Sequence, residues 1–294
     1  MRVTLRLIDI LLLKFVYDHS LGRAKEPKKL SLCRKPINEE RIVLQNMISA
    51  YLVAGGRFHD IDFARLELLK LLAENNRIQT KVGSDYREID EICASDFLIT
   101  YTCDVLPDPQ QVARLAGFLE RGGRWFALHG TNSVLRVIGD LEGCSCPREA
   151  APEFFDLLGS QFKSHPPIGQ YRVDVTDITH PMTAGIESFE TVDEQYLMEH
   201  DDTLEVLLET RFSGQTPGFP DNADWSQKEV HPVLYSKKYG KGEIMYLTLG
   251  HCRGHYDLQP YLDYFPVPER CSWNLPVYYD LLRRGIRWST GELA

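Results

Sequence analysis

Between residues 47 and 130 short apolar runs of strand length alternate with segments of helical spacing, and this regularity constrains the fold more than any other feature of the chain. The run Ile48 to Ala54 reads as a first strand, broken by Gly55 and Gly56. Behind Asp60, a suitable N-cap, Ile61, Ala64, Leu68, Leu69 and Leu72 recur on one helical face. Ile78 to Val82 reads as a second strand, and Asp96 to Thr102 as a third whose middle is apolar on both faces and therefore buried on both. Asp108 and Pro109 then open a helix with the face Val112, Leu115, Phe118 and Leu119, which stops at Gly122 and Gly123. Arg124 to His129 follows as a fourth strand. Such alternation predicts an α/β fold with a doubly wound, mostly parallel sheet.

The later chain is less regular. Residues 137 to 152 are turn-rich, and Phe154 to Leu158 reads as one short helix. Tyr171 to Val175 alternates strictly, while Leu204 to Leu208 and Val233 to Ser236 are shorter strand-like runs. Between the last two, Phe212 to Val230 is rich in Gly, Pro, Asn and Asp, and its length marks it as a functional or a disordered loop. Glu243 to Leu249 reads as a buried strand ending in Gly-His, and a helix carrying Leu275, Tyr278, Tyr279, Leu282 and Ile286 closes the chain.

In an open parallel sheet, ligands bind beyond the carboxyl ends of the strands. Three such ends carry histidine here: His59, His129 and His251. Neutral imidazoles there suit metal ligation or proton exchange, although a single histidine at a strand end is equally explained as a hydrogen-bonded structural residue. His165 and His180 each precede proline; His165 faces either the site or solvent, and His180 reads as part of a capped turn. Within Asp193-Glu194-Gln195-Tyr196, an extended backbone puts Glu194 and Tyr196 on one face and Asp193 on the other. Trp225, in the long loop, reads either as a stacking surface for a sugar ring or as a tucked-in side chain. Gly55 and Gly56 do not form a dinucleotide fingerprint, so no nucleotide cofactor is expected; the pair reads as a tight turn or, at Gly56, as a close backbone approach to a ligand. Cys144 and Cys146 are spaced too tightly for a zinc-ribbon pair.

Charge sharpens the functional class. The net charge is −9, yet residues 1 to 46 carry ten Lys/Arg against five Asp/Glu, so the remainder is strongly acidic. An acidic body argues against nucleic acid as a partner. The odd count of seven cysteines suits a reducing compartment, no run reaches the roughly 20 apolar residues of a membrane span, and the expected location is cytoplasmic. Residues 1 to 46 read as an extension, either poorly ordered or the product of an upstream start, with Met47 standing directly before the first strand. The domain proper is expected over residues 47 to 290.

Ala54-Gly-Gly-Arg-Phe-His59-Asp60, Gly122 through Gly130, Phe162 with His165 and Pro166, His180 through Gly185, Asp193-Glu194 with Tyr196, and Tyr239-Gly-Lys-Gly242 leading to Leu249-Gly-His251 together resemble the ThuA-like (trehalose utilisation) family. The resemblance implies the class I glutamine amidotransferase-like fold, a flavodoxin-like sheet between helices, and a connection to trehalose or glucoside metabolism. An amidotransferase would place a nucleophilic cysteine after the fourth strand, where this chain reads Leu128-His129-Gly130, so glutamine hydrolysis is not expected. The leading expectation is an enzyme acting on a carbohydrate or keto-sugar derivative. His129, His251 and Glu194 would be its acid/base groups or the ligands of a divalent metal such as zinc, and Gly56, His59, Asp60, His165, Tyr196 and Trp225 would contact substrate. The rival is a non-catalytic sugar-binding or interaction module on the same scaffold. A carbohydrate is the expected small-molecule partner, and a homo-oligomer is left open.

Overall fold

The computed structural model describes residues 47–139, 143–254 and 267–293. The basic extension read over residues 1–46 lies outside the described residues. From Ile48 the alternation is present as read, with α2 added to it: β1 (Ile48–Gly56), α1 (Ile61–Leu72), β2 (Ile78–Gly83), α2 (Ile89–Ala94), β3 (Phe97–Cys103), α3 (Pro109–Glu120) and β4 (Arg124–Leu128). Helix α2, at six residues, is too short to announce itself by periodicity. Asp60 caps α1 by accepting the Phe63 N–H at 3.1 Å, and Asp108 with Gln111 forms a capping box on α3.

After β4 come the small pair β5 (Arg136–Ile138) and β6 (Gly143–Ser145), then α4 (Pro152–Leu158) and β7 (Ser160–Ser164). The chain continues through β8 (Gly169–Val175), β9 (Phe189–Asp193), β10 (Leu197–His200), β11 (Glu205–Arg211), β12 (Val230–Tyr239), β13 (Gly242–Leu247) and α5 (Pro276–Ser289). The main sheet has the order β2-β1-β3-β4-β13-β12-β11-β8-β9. Its first five strands are parallel, and from β13 onward every neighbour is antiparallel. The weakening of the strand–helix rhythm after residue 137 has this physical cause: antiparallel neighbours connect through loops and need no crossover helix.

Alternate residues of the parallel strands feed two cores. Leu52, Ile99 and Phe126 face Leu68, Leu281 and Ile286 of α1 and α5, whereas Val53, Leu98 and Trp125 face Leu115, Phe118 and Phe155 of α3 and α4. All seven residues of β3 are buried, as its two-sided apolar pattern requires. Each fully buried large side chain adds roughly 1.5–3 kcal/mol of transfer free energy. The register pairs Gly56 with Cys103, Tyr101 with Leu128, and Leu128 with Leu247, so four strands deliver the chain to one edge of the sheet. Among the described residues no helix is long and apolar enough to cross a membrane.

Gly56 ends β1 with φ +111°, and a Cβ there would lie 1.8 Å from the Cys103 carbonyl oxygen, which accepts the Arg57 N–H at 3.0 Å. The close approach expected of this glycine is thus made to its own neighbouring strand. Gly56→Ala is expected to cost at least about 1–3 kcal/mol of stability. Urea unfolding would check this, and a midpoint unchanged from the wild type would contradict it.

Candidate functional site

Three strand exits bring their histidines together. His59 leaves β1, His129 opens a short helical turn (His129–Asn132) directly after β4, and His251 follows β13 by way of Gly250. Among the described residues four non-glycine positions adopt positive φ: Phe58, Asp104, His129 and Cys271. All stand beside this edge: Phe58 before His59, Asp104 after β3, His129 itself, and Cys271 near Glu269. Backbone strain of this kind costs on the order of 1–3 kcal/mol per residue and persists only where surrounding contacts fix it.

The ring contacts decide which nitrogens face inward. His59 Nδ1 lies 3.1 Å from the Arg57 carbonyl oxygen and His129 Nδ1 lies 2.7 Å from that of Thr248. A carbonyl only accepts, so both Nδ1 atoms donate and both Nε2 atoms present lone pairs. Those two Nε2 atoms are 2.8 Å apart. His251 donates Nε2–H to Glu269 at 3.2 Å, while its Nδ1 sits 3.1 Å from Glu194 Oε1, off the hydrogen-bonding line.

Glu194 is the hub. Its oxygens lie 3.5 Å from His129 Nε2, 3.9 Å from His59 Nε2 and 3.6 Å from His165 Nε2. Burial pushes its carboxyl upward, but the surrounding histidines, His251 first, override this and hold it well below the usual carboxylate range. Burial, reinforced by His129 and His251, holds His59 well below the ordinary imidazole value, so it is neutral. For His251 burial also favours the neutral ring, yet Glu194 and Glu269 outweigh it and raise its pKa to about 9. Glu269 is kept low by His251 and Arg253 against the opposing effect of burial.

His59, His129, Glu194 and His251 each offer one ligand atom, all within 4.8 Å of one another. Ligands on a tetrahedral ion with bonds of about 2.0–2.1 Å stand roughly 3.3 Å apart. With Glu194 Oε2 as the carboxylate donor, the separations of 2.8 Å between the two Nε2 atoms and of 3.5 and 3.9 Å from them to that oxygen straddle this value. Each imidazole also donates its outer N–H to a carbonyl or carboxylate, as ligating histidines do. The donor set therefore fits a divalent ion, whose binding would displace the proton of His251.

Around this group, the Tyr196 hydroxyl is 3.4 Å from His129 Nε2 and its ring packs on Phe162. His165 donates Nδ1–H to Pro166 at 2.7 Å and packs against Phe219 of the long loop. Arg253 reaches Glu269 at 3.0 Å and Glu194 at 3.7 Å. The sequence marked His59, His129, Glu194, His165, Tyr196 and His251, and these do converge. Arg253 and Glu269 were missed. Arg253 stands two residues beyond His251, where proximity was a usable signal, whereas Glu269 lies in no recognisable motif.

The other marked residues have structural employment. Asp60 caps α1 and pairs with Arg270 at 2.9 Å. Trp225 is not presented as a stacking surface: it is buried, and its indole N–H donates to Ser164 Oγ and the Asn222 carbonyl oxygen. Phe219, not Trp225, brings the loop to His165. His180 accepts the Met182 N–H within its turn. Burial pushes the Cys103 thiol well up and the Cys252 thiol up to about 12, so neither is a thiolate at neutral pH.

Asp193 is fully buried and, as its alternation with Glu194 requires, points away from the rings. Its Oδ1 accepts the N–H groups of Glu194 (2.8 Å) and His251 (3.0 Å), and its Oδ2 those of Gly250 (2.9 Å) and Ser272 (3.3 Å). One carboxylate thereby ties the backbone carrying Glu194 to that carrying His251 and to the turn after Glu269.

The family model for ThuA, described as trehalose utilisation, matches residues 52–265. Two crystal structures of ThuA-like proteins share the fold. That of Parabacteroides merdae is 16% identical, with a TM-score of 0.60 over 85% of this chain and 92% of its own. That of Bacteroides uniformis is 17% identical, with a TM-score of 0.54 over 83% and 92%. Among curated proteins none matches the sequence.

Asp193→Asn would set an amide N–H against backbone donors and remove charge-assisted acceptors, each worth about 1.5–3 kcal/mol. A loss of roughly 3 kcal/mol in denaturant-measured stability is expected. A loss below about 1 kcal/mol would show that the four short contacts do not hold the strand exits together.

Proposed function

We propose that this chain, which belongs to the ThuA family, is an enzyme that acts on a carbohydrate or keto-sugar derivative at the buried histidine–glutamate cluster. One observation carries the reading: three imidazoles whose outer nitrogens are tied to acceptors turn their remaining nitrogens toward one ionised carboxylate, at the carboxyl edge of a parallel sheet. The sugar class is supported by the trehalose-utilisation description of the family model.

Bound at this donor set, a divalent ion such as zinc would polarise a substrate oxygen or acidify a water. The chain's own groups divide the remaining work. His165 is the ring with substantial exposure beside Glu194, its Nδ1 already committed to Pro166, so Nε2 is the nitrogen that exchanges a proton with a bound sugar hydroxyl. The Tyr196 hydroxyl, its pKa raised well above the usual value by burial and by Glu194, stays protonated and donates. Glutamine hydrolysis is not assigned, because the turn after β4 presents His129 in place of a thiol and the nearby thiols are held protonated by burial.

The test is metal content and turnover of purified protein against trehalose, glucosides and their 3-keto derivatives. About one divalent ion per chain is expected in the wild type, lost in His129→Ala, His251→Ala and Glu194→Gln and retained in His165→Ala, with turnover falling by at least about 100-fold in all four. Absence of the ion from wild type would remove the metal. Sugar bound without product by ion-loaded protein would remove the enzyme and leave a binding module.

A further inference from the structure

The cluster is almost sealed: the side chains of His59, His129, Glu194 and His251 are 0–7% exposed, whereas His165 and Glu269 are 23% and 29% exposed. A cleft of about 460 Å³, within the size range of small-molecule sites, is lined at one end by Glu269 and by none of the four sealed residues. One wall is the β8–β9 ribbon, which contributes Ile168, Gln170 with its partner Val192, and Glu190 and Thr191. The opposite wall is the segment from Glu269 to Leu275, including Asn274. All three lining segments begin at cluster residues. Strand β8 starts four residues after His165, β9 ends one residue before Glu194, and the opposite wall starts at Glu269, with Gly169 and Asp193 paired at the cluster end of the ribbon.

We propose that this cleft binds the non-reacting part of the substrate, and that it takes a neutral glycosyl ring in preference to a phosphorylated one. This rests on the sugar-directed reading of the adjoining site. Ile168, Val192 and Leu275 offer apolar surface to the C–H face of a pyranose, and Gln170, Glu190 and Asn274 offer acceptors and donors for its hydroxyls. The charge balance sets the preference. Arg172 is within ion-pair distance of Asp174 and Glu190, Arg270 of Asp60, and Arg253 of Glu269 and Glu194. Among the side chains that line the cleft, the carboxylates Glu190 and Glu269 outnumber the one guanidinium, Arg270, which Asp60 already pairs, so a phosphate there would meet like charge. Helix α5 begins beside the cleft but offers little to an anion: Pro276 has no N–H, and the Tyr278 and Tyr279 amides bond back to the Leu275 carbonyl.

Calorimetric titration of the full chain with trehalose, glucose and trehalose 6-phosphate tests this. Trehalose is expected to bind at least about tenfold more tightly than either the phosphate ester or glucose. Val192→Trp, which fills the cleft from an exposed position, is expected to weaken trehalose about tenfold while glucose affinity and metal content stay at wild-type values. Glu190→Gln is expected to narrow the gap between trehalose and its phosphate. Equal or tighter binding of the phosphate ester overturns the charge preference. Trehalose binding that survives both Val192→Trp and Gln170→Ala in protein that still turns over sugar overturns the cleft alone. Failure of wild type to bind any of the three overturns the cleft together with the sugar reading on which it rests.

Discussion

A carboxylate taken out of water must be paid back in charge or hydrogen bonds, and Glu194, with its side chain 7% exposed, sets that requirement at the centre of this molecule. Four imidazoles and Arg253 surround it within 3.9 Å, and the positive charge that meets the requirement comes from His251, at 3.1 Å, and Arg253, at 3.7 Å. They come from different strand exits, so one buried charge demands that β1, β4 and β13 all deliver their ends to the same point. The tautomers are set from outside the cluster. His59 and His129 can turn lone pairs inward only because Arg57 and Thr248 carbonyls hold their outer N–H groups, and His251 is oriented by Glu269.

Asp193 and Glu194 show how the neighbourhood of a charge decides its role. Both are buried acids, adjacent in sequence and pointing to opposite sides of an extended backbone. Asp193 is neutralised by four backbone N–H groups and among the described residues forms no ion pair, which makes it a fixed anchor. Glu194 faces imidazoles, three of which complete with it a donor set of metal-binding size. Asp193 acts on peptide groups and Glu194 on imidazoles, so the geometry of the second is inherited from the first.

Much of this was legible in the sequence, for identifiable reasons. Parallel strands buried on both faces, as in Phe97 to Cys103, and helices with capped starts leave period and punctuation in the sequence, and β1, α1, β2, β3, α3 and β4 could be placed from them. The histidines at strand ends were legible because an open parallel sheet gathers such ends. The antiparallel half was read less well, since pairing between β8, β9, β11 and β12 depends on partners far apart in sequence. Glu269 and Arg253 were illegible in the stronger sense: their role comes from contact with His251 and Glu194, and no local pattern records such a contact. Trp225 was legible only as two alternatives, a stacking surface or a tucked-in side chain, because the contacts of its N–H with Ser164 and the Asn222 carbonyl leave no local pattern.

The turn after β4 connects these levels. His129 has φ 45°, a conformation that non-glycine residues avoid, and the following Gly130 admits no Cβ, which would come within 2.6 Å of the Thr102 carbonyl oxygen. The Tyr246 hydroxyl donates to the His129 carbonyl and accepts the Asn132 N–H, and the Thr131 hydroxyl donates to the Leu128 carbonyl, so the turn is held from both sides. Its effect is to lift one side chain off the end of a buried strand and aim it into the space where the other strand exits meet. Nothing in that backbone geometry specifies a nucleophile; it specifies only a direction. With imidazole at that position, and its Nδ1 fixed by Thr248, the direction becomes that of a lone pair aimed at His59 and Glu194. The scaffold therefore determines where the strand exits meet, and the residue on the strained turn determines which donor atom is presented there.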